Sequence, residues 1–229
     1  MERKKYVIFT AGGSGTRMKS LEPKQFLLLE GLPVLHRSIL AFVESCPDVK
    51  VVTVLPKEHI SLWEDLCIRY PLDIPQRIVA GGITRFHSVK NALEKVPDGV
   101  VVAVHDGVRP LVSGGLIKEM FSRMQNLRAL IPVIPVTDTL KSLVRNAEGH
   151  IVPTGEADPD RSRVYGAQTP QMFLSEELRA AYELPYDTSY TDDASVAAKY
   201  GIPLSYIEGE RNNIKLTTPE DLDLARFFI

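Results

Sequence analysis

The sequence predicts an α/β protein: a doubly wound, mostly parallel sheet with helices on both faces and a β-hairpin arm projecting from it. Three observations carry this prediction. Short apolar runs of strand character alternate with amphipathic helical patterns as far as Pro135. Glycine-rich or charged segments follow directly on several of those runs, and in such sheets ligands sit beyond the carboxyl ends of the strands. After Pro135 the rhythm changes to an alternating run, a turn and a second alternating run.

The first strand is expected over Tyr6–Thr10, running into "AGGSGTRMKSLEPKQF", Ala11 to Phe26. Pro33 suits the first turn of a helix over Val34–Cys46. A strand over Val49–Leu55 and a helix over Glu58–Arg69 follow, then a strand over Arg77–Ala80 leading into Gly81-Gly82 and a helix over Thr84–Lys95. The next strand, Val100–His105, ends against Asp106, and a helix over Leu116–Asn126 precedes a strand over Ala129–Pro135. Thr137–Thr154, with its turn at Asn146–Gly149, reads as the hairpin arm. An isolated two-stranded hairpin is marginally stable, so a partner subunit is the expected packing surface. The remainder reads as a helix near Ser175–Glu183, a helix opening at "TDDAS", strands over Leu204–Glu208 and Asn213–Leu216, and a last helix from Thr218. That helix carries a capping box, with Asp221 three residues after Thr218. The 229 residues are read as one domain, with a dimerisation arm at about 137–163.

Composition excludes some function classes. Apolar residues make up 44% of the chain, enough for a core, and the net charge of -2 comes without a basic block. Nucleic-acid and membrane-surface binding are not expected. Cys46 and Cys67 lack metal-ligand spacing and read as buried thiols. The apolar run after Met-Glu-Arg-Lys-Lys is too short for an export signal, and a cytoplasmic protein is expected.

The loop after the first strand is neither of two familiar phosphate loops. No Gly-Lys pair falls in register for a Gly-x-x-x-x-Gly-Lys-Ser/Thr loop. Gly13 and Gly15 begin a Gly-x-Gly-x-x-Gly pattern, but Met18 stands at its third glycine. Glycines still let backbone N–H groups close around an anion. Arg17 adds a planar cationic fork and Lys24 a point charge, which together suit a polyphosphate. Arg85 and Lys215 are further cations, and Asp106 is a carboxylate at a strand end. Asp106 alone suits a structural salt bridge as well as a bridging divalent ion, and a polyphosphate nearby favours Mg²⁺ or another divalent cation. His105 reads as a core histidine. No nucleophile–base set is evident, and none is needed if a phosphate monoester attacks a nucleoside triphosphate. Its second pKa is about 6, so it is already deprotonated.

Seven segments in order, "AGGSGTRM…PKQF", "GGITRFHSV", "VHDGVRP", "PVTDTLK", "AQTPQMF", "TDDAS" and "RNNIKLTTPEDL", resemble the 2-C-methyl-D-erythritol 4-phosphate cytidylyltransferase family. The resemblance spans nearly the whole chain. It implies a Rossmann-like nucleotidyltransferase fold that transfers CMP from CTP to a sugar-alcohol phosphate, giving CDP-methylerythritol and pyrophosphate in the non-mevalonate isoprenoid pathway. It implies that Ala11, Gly12, Gly13 and Gly15 line the CTP loop, with Arg17, Lys24 and Lys215 as catalytic cations. Gly82, Arg85 and Ser88 would lie near the cytosine end, and Asp106 near the ribose and Mg²⁺. Arg109 would bind substrate close behind Asp106, and Thr139, Arg161, Thr191 and Asp192 would serve the acceptor, with Thr139 and Arg161 reaching it from the neighbouring subunit of a homodimer. Arg163 competes with Arg161 for the acceptor phosphate, and spacing favours Arg161.

The chain has Ala11-Gly12-Gly13 where the family usually has Ala-Ala-Gly, and His105-Asp106-Gly107-Val108-Arg109-Pro110 where it often has His-Asp-Ala-Ala-Arg-Pro. A ribitol 5-phosphate cytidylyltransferase would share the CTP motifs. It tends to have Asp-Ala-Cys where this chain reads Asp193-Ala194-Ser195, and it lacks the Thr139-Leu140-Lys141 ending. A non-catalytic nucleotide sensor on the same fold would be expected to lose Lys24 or Lys215, and both are present.

Overall fold

The computed structural model describes residues 3–12, 22–72 and 74–229. Its central sheet runs in the order β10 (Tyr165–Ala167), β7 (Ala129–Pro135), β11 (Gln171–Leu174), β6 (Val101–Asp106), β1 (Lys5–Thr10), β4 (Lys50–Leu55) and β5 (Gln76–Ala80), with β12 (Ser205–Glu208) also paired to β7. The pairs β6–β1, β1–β4, β4–β5 and β7–β12 are parallel. The sheet is therefore mostly parallel, as the alternation of elements predicts.

Side chains alternate across it. Val7, Phe9, Val101 and Ala103 pack with α1 (Val34–Ser45), α2 (Ile60–Arg69) and α4 (Gly114–Arg123) on one face. Ile8, Val52, Val102 and Val104 pack with α3 (Arg85–Leu93), α5 (Ser175–Ala181) and α6 (Asp193–Tyr200) on the other. A third cluster joins Leu29 and Val34 to Val108, Leu216 and Ala225. It ties a two-stranded hairpin, β2 (Leu28–Leu29) and β3 (Leu32–Pro33), to α7 (Pro219–Arg226). All six residues of β6 are buried, as expected of a strand covered on both faces.

Four features differ from the sequence expectation. Strand β11 inserts antiparallel between β6 and β7, and β10 adds antiparallel to the end of β7. These strands have three and four residues and are separated by Gln168-Thr169-Pro170, too short and too interrupted to show a periodic pattern. The hairpin of β2 and β3 is equally short. Asn213–Leu216 is not a strand. Its polar groups bond elsewhere: the Asn213 carbonyl accepts from Arg109, Asn213 Nδ2 donates to the Thr169 carbonyl, and Leu216 N–H donates to the Val108 carbonyl.

The arm is a hairpin of β8 (Leu143–Arg145) and β9 (Ile151–Pro153), forming a sheet of its own. The Asn146 side chain accepts from His150 N–H across the turn. In α7, Asp221 accepts the backbone N–H groups of Thr217 and Thr218, as the capping signal predicts.

His105 is a fully buried core histidine, with its ring against Phe9 and Phe42. Its Nε2 lies 3.1 Å from the Arg109 carbonyl and its Nδ1 3.1 Å from Thr169 Oγ1. Thr169 Oγ1 also accepts the Asp106 N–H. Nε2 therefore carries the proton, and Nδ1 accepts from the threonine hydroxyl. Burial lowers the His105 pKa to about 4, so the ring stays neutral at pH 7. Between about 4 and the unfolded value of about 6.5, the unfolded chain binds a proton that the folded chain does not. The stability is present above about 6.5 and is lost as pH falls towards 4, with His105 contributing about 3 kcal/mol across that window. Urea unfolding from pH 4 to 7 should show a shallower pH dependence for His105→Gln than for the wild type. Equal slopes would contradict this assignment.

Candidate active site

Strands β1, β4, β5 and β6 end at one side of the sheet, and their carboxyl ends enclose a cavity of about 680 Å³. Its walls bring together Ala11 and Gly12 after β1, Lys24, Gly82, Arg85 and Ser88 after β5, Asp106 at the end of β6, and Lys215. Segments far apart in sequence thus converge here. Gly13, Gly15 and Arg17 lie outside the described residues.

The first wall is fixed by Gln25, 1% exposed, whose Nε2 donates to the Ala11 carbonyl at 2.8 Å. Lys24 stands in a short 3-10 turn, Lys24–Phe26, and its Nζ donates to the Leu216 carbonyl at 3.1 Å. The second wall is the turn from β5 into α3. Thr84 caps α3, accepting from His87 N–H. Ser88 Oγ accepts from Gly82 N–H at 3.0 Å and donates to the Thr84 carbonyl at 2.9 Å. A side chain at Gly82 would put its Cβ 2.4 Å from that of His87, so only glycine fits this close turn. Ser88 therefore braces the turn.

The floor is Asp106. Its Oδ2 pairs with Lys215 Nζ at 3.0 Å and with Arg109 Nε at 3.3 Å. Burial alone would raise the pKa of this carboxyl. The charges of Lys215, Arg85 and Arg109 outweigh burial and hold it well below the usual carboxylate range. Asp106 is thus ionised at any physiological pH. The Gly107 departure from the usual family alanine also has a packing setting here. A Cβ at Gly107 would lie 2.7 Å from Leu35 Cδ1 and 3.2 Å from the Ala11 Cβ.

The five residues expected to bind substrate beyond the nucleotide loop, Arg109, Thr139, Arg161, Thr191 and Asp192, are not in this cavity wall. Arg109 is spent on internal contacts, pairing with Asp106 and donating through Nη1 to the Asn213 carbonyl at 2.6 Å. Its place is beneath the site, holding Asp106 and the 213–216 segment. Thr139 and Arg161 are exposed, and Arg161 Nη1 donates to the Thr137 carbonyl at 2.7 Å, closing the base of the arm. Thr191 is exposed, and Asp192 is the N-cap of α6, accepting from Ser195 N–H and from Gln171 Nε2. Asp192 and Arg163 line a second cavity, of about 870 Å³, among Val133, Tyr165, Ala194 and Tyr206. The sequence reading missed Gln25, Thr84 and Asp193. Thr84 had a signal, a threonine directly before a helical pattern. Gln25 and Asp193 act through tertiary contacts that no local pattern announces.

The chain that builds this cavity at the ends of its parallel strands matches a known family model by sequence. The family model of IspD, 2-C-methyl-D-erythritol 4-phosphate cytidylyltransferase, matches residues 6–229. The chain belongs to this family. It is 47% identical over 231 residues to the 2-C-methyl-D-erythritol 4-phosphate cytidylyltransferase of Porphyromonas gingivalis strain W83, covering 100% of this chain and 99% of the relative. Among solved structures it is similar to the 4-diphosphocytidyl-2C-methyl-D-erythritol synthase of Anaerococcus prevotii. That likeness has a TM-score of 0.79 at 25% identity and covers 100% and 99% of the two chains. The 2-C-methyl-D-erythritol 4-phosphate cytidylyltransferase of Thermus thermophilus matches with a TM-score of 0.71 at 31% identity, covering 99% and 98%. Within the IspD family the cavity has an evident chemical character. Lys24, Arg85 and Lys215 face it with Asp106 between them, an arrangement suited to a polyanion.

Proposed function

We propose that the protein transfers CMP from CTP to 2-C-methyl-D-erythritol 4-phosphate, releasing pyrophosphate and forming CDP-methylerythritol. Family membership over the whole chain supports the reaction, and the cavity around Asp106 supports its location. The ribitol phosphate reading is not favoured, since both the family model and the relatives carry the methylerythritol name.

The acceptor phosphate attacks the α-phosphorus of CTP, and the bond to the bridging oxygen of the pyrophosphate breaks. No protein base is required for that attack. What the site supplies is position and positive charge where negative charge gathers. Lys24 and Lys215 are assigned to the triphosphate, and Arg17 is assigned there by resemblance. Gly82, braced by Ser88, offers a turn against which a pyrimidine packs.

Mg²⁺ is part of this proposal. Among the described residues no cluster of three or more His, Cys, Asp or Glu side chains is formed. Among the described residues both ion pairs to Asp106 fall on Oδ2, and Asp106 is the carboxylate that would hold a cation together with substrate phosphates, the usual way Mg²⁺ is held. When bound there it would neutralise phosphate charge. Among the described residues no helix is long and apolar enough to cross a membrane. Cys46 and Cys67 are thiols rather than a disulfide, which fits a reducing compartment such as the cytoplasm.

The arm is assigned to a homodimer. Leu143, Val144 and Ile151 on it are 50%, 50% and 61% exposed, more apolar surface than a free hairpin should show to water. Tyr165 and Tyr206, on the second cavity near the base of the arm, are exposed as well. A second copy clasped by the arm covers such surfaces, and Thr139 and Arg161 then serve the partner's acceptor site.

Pyrophosphate release should require CTP, a divalent cation and methylerythritol phosphate together. Equal rates with ATP would remove the cytidine assignment, and release without acceptor would indicate a hydrolase. In the same assay Lys24→Ala should lower turnover by roughly 10²–10³, the loss typical of one transition-state donor.

Arg161→Ala should raise the KM for methylerythritol phosphate far more than that for CTP. Mixing it with Lys24→Ala and allowing subunits to exchange should restore activity, because one site of each mixed dimer regains both residues. No recovery after demonstrated exchange would place Arg161 in its own subunit's site.

A further inference from the structure

Arg85 reaches the nucleotide cavity from the first turn of α3, with 32% of its side chain exposed. Its anchor is not a cavity residue. Nη1 and Nη2 bind the two oxygens of Asp193 at 2.9 and 2.5 Å, and the Asp193 side chain is fully buried. Asp193 takes a third bond at 2.6 Å from the Tyr182 hydroxyl. Among the described residues, two of the five guanidinium N–H groups are thus used. Asp193 directly follows Thr191 and Asp192, the segment assigned to the acceptor.

A second contact repeats this link one residue along. Phe86, next to Arg85, stacks on Tyr182 at 4.7 Å and on Tyr190 at 5.7 Å, and Tyr190 precedes Thr191. The first turn of α3 and the 190–193 segment are therefore joined both by an ion pair and by stacked rings.

We propose that Asp193 is a positioning residue, held by Tyr182, that fixes Arg85 over the nucleotide cavity and couples that cavity to the acceptor segment. The proposal rests on the assignment of the cavity to CTP and of Thr191–Asp192 to the acceptor. Coupling of this kind is reciprocal, so whatever orders the 190–193 segment strengthens nucleotide binding, and nucleotide orders that segment.

The test is a double-mutant cycle read by calorimetry of CTP binding without acceptor, so that no turnover is needed. Asp193→Asn removes the counter-charge of Arg85 from a fully buried position and endangers folding. Tyr182→Phe keeps the ion pair and deletes a single hydrogen bond, so it serves as the principal variant. Tyr182→Phe should weaken CTP binding by about tenfold, the order expected for one hydrogen bond to a charged group. In an Arg85→Met, Asp193→Asn background, which removes the buried charge together with its partner, the same change should cost nothing further. It should also raise the KM for methylerythritol phosphate. An equal loss in both backgrounds would make Tyr182 and Asp193 purely structural and overturn the proposal. So would an Arg85→Met protein that binds CTP as tightly as the wild type. A wild type that binds CTP but transfers no CMP would refute the cytidylyltransferase reading alone, leaving the binding cycle to decide this one.

Discussion

A carboxylate at the end of a strand buried on both faces has to be paired, and the pairing of Asp106 organises everything around it. Moving such a group out of water costs several kcal/mol unless opposite charge and hydrogen bonds compensate. Lys215 and Arg109 supply that charge, and both are drawn from outside the strand. Arg109 binds the Asn213 carbonyl as well, so the segment carrying Lys215 is fastened over the strand end. Leu216 then hydrogen-bonds Val108 and receives Lys24. One buried charge thus gathers residues from the first, middle and last parts of the chain. The same charge balance leaves the cavity cationic, which is what a triphosphate requires.

Much of the fold was legible because its signals are local. Strands β1, β4, β6 and β7 are continuous apolar runs, and each is set off from the next by a helix with a clear apolar face. The hairpin arm was legible from alternation around Asn146–Gly149. What escaped were strands β10 and β11, whose few residues pair with strands distant in sequence. The expected strand at Asn213–Leu216 is the converse case. Its residues have strand character, but Arg109 takes the Asn213 carbonyl and Val108 the Leu216 N–H, backbone groups that a ladder would need.

The site divides along a similar line. Ala11, Gly12, Lys24, Gly82, Arg85, Ser88, Asp106 and Lys215 were named from motifs at strand ends, and the fold brings them to one cavity. Arg109 was named for substrate binding close behind Asp106, and its planar fork is engaged with Asp106 and a carbonyl. A sequence shows that an arginine is present but not which anion it meets. Asp193 was passed over for the opposite reason: beside Asp192 it looks like a second capping acid, and only the approach of α3 reveals it as the counter-charge of Arg85. Thr139 and Arg161 are exposed on the arm and at its base, outside the wall of the cavity around Asp106.

The central claim is that Asp106 stays ionised because surrounding cations outweigh its burial. It is tested most directly by following the Asp106 carboxyl carbon by ¹³C NMR as pH is lowered, with Asp106→Asn identifying the resonance. Its midpoint should lie well below the ordinary aspartate value of about 3.9, so the signal should hold its ionised position through the range where other carboxylates titrate. A midpoint at or above that value would mean that burial wins, and that Lys215 and Arg109 do not hold the site together.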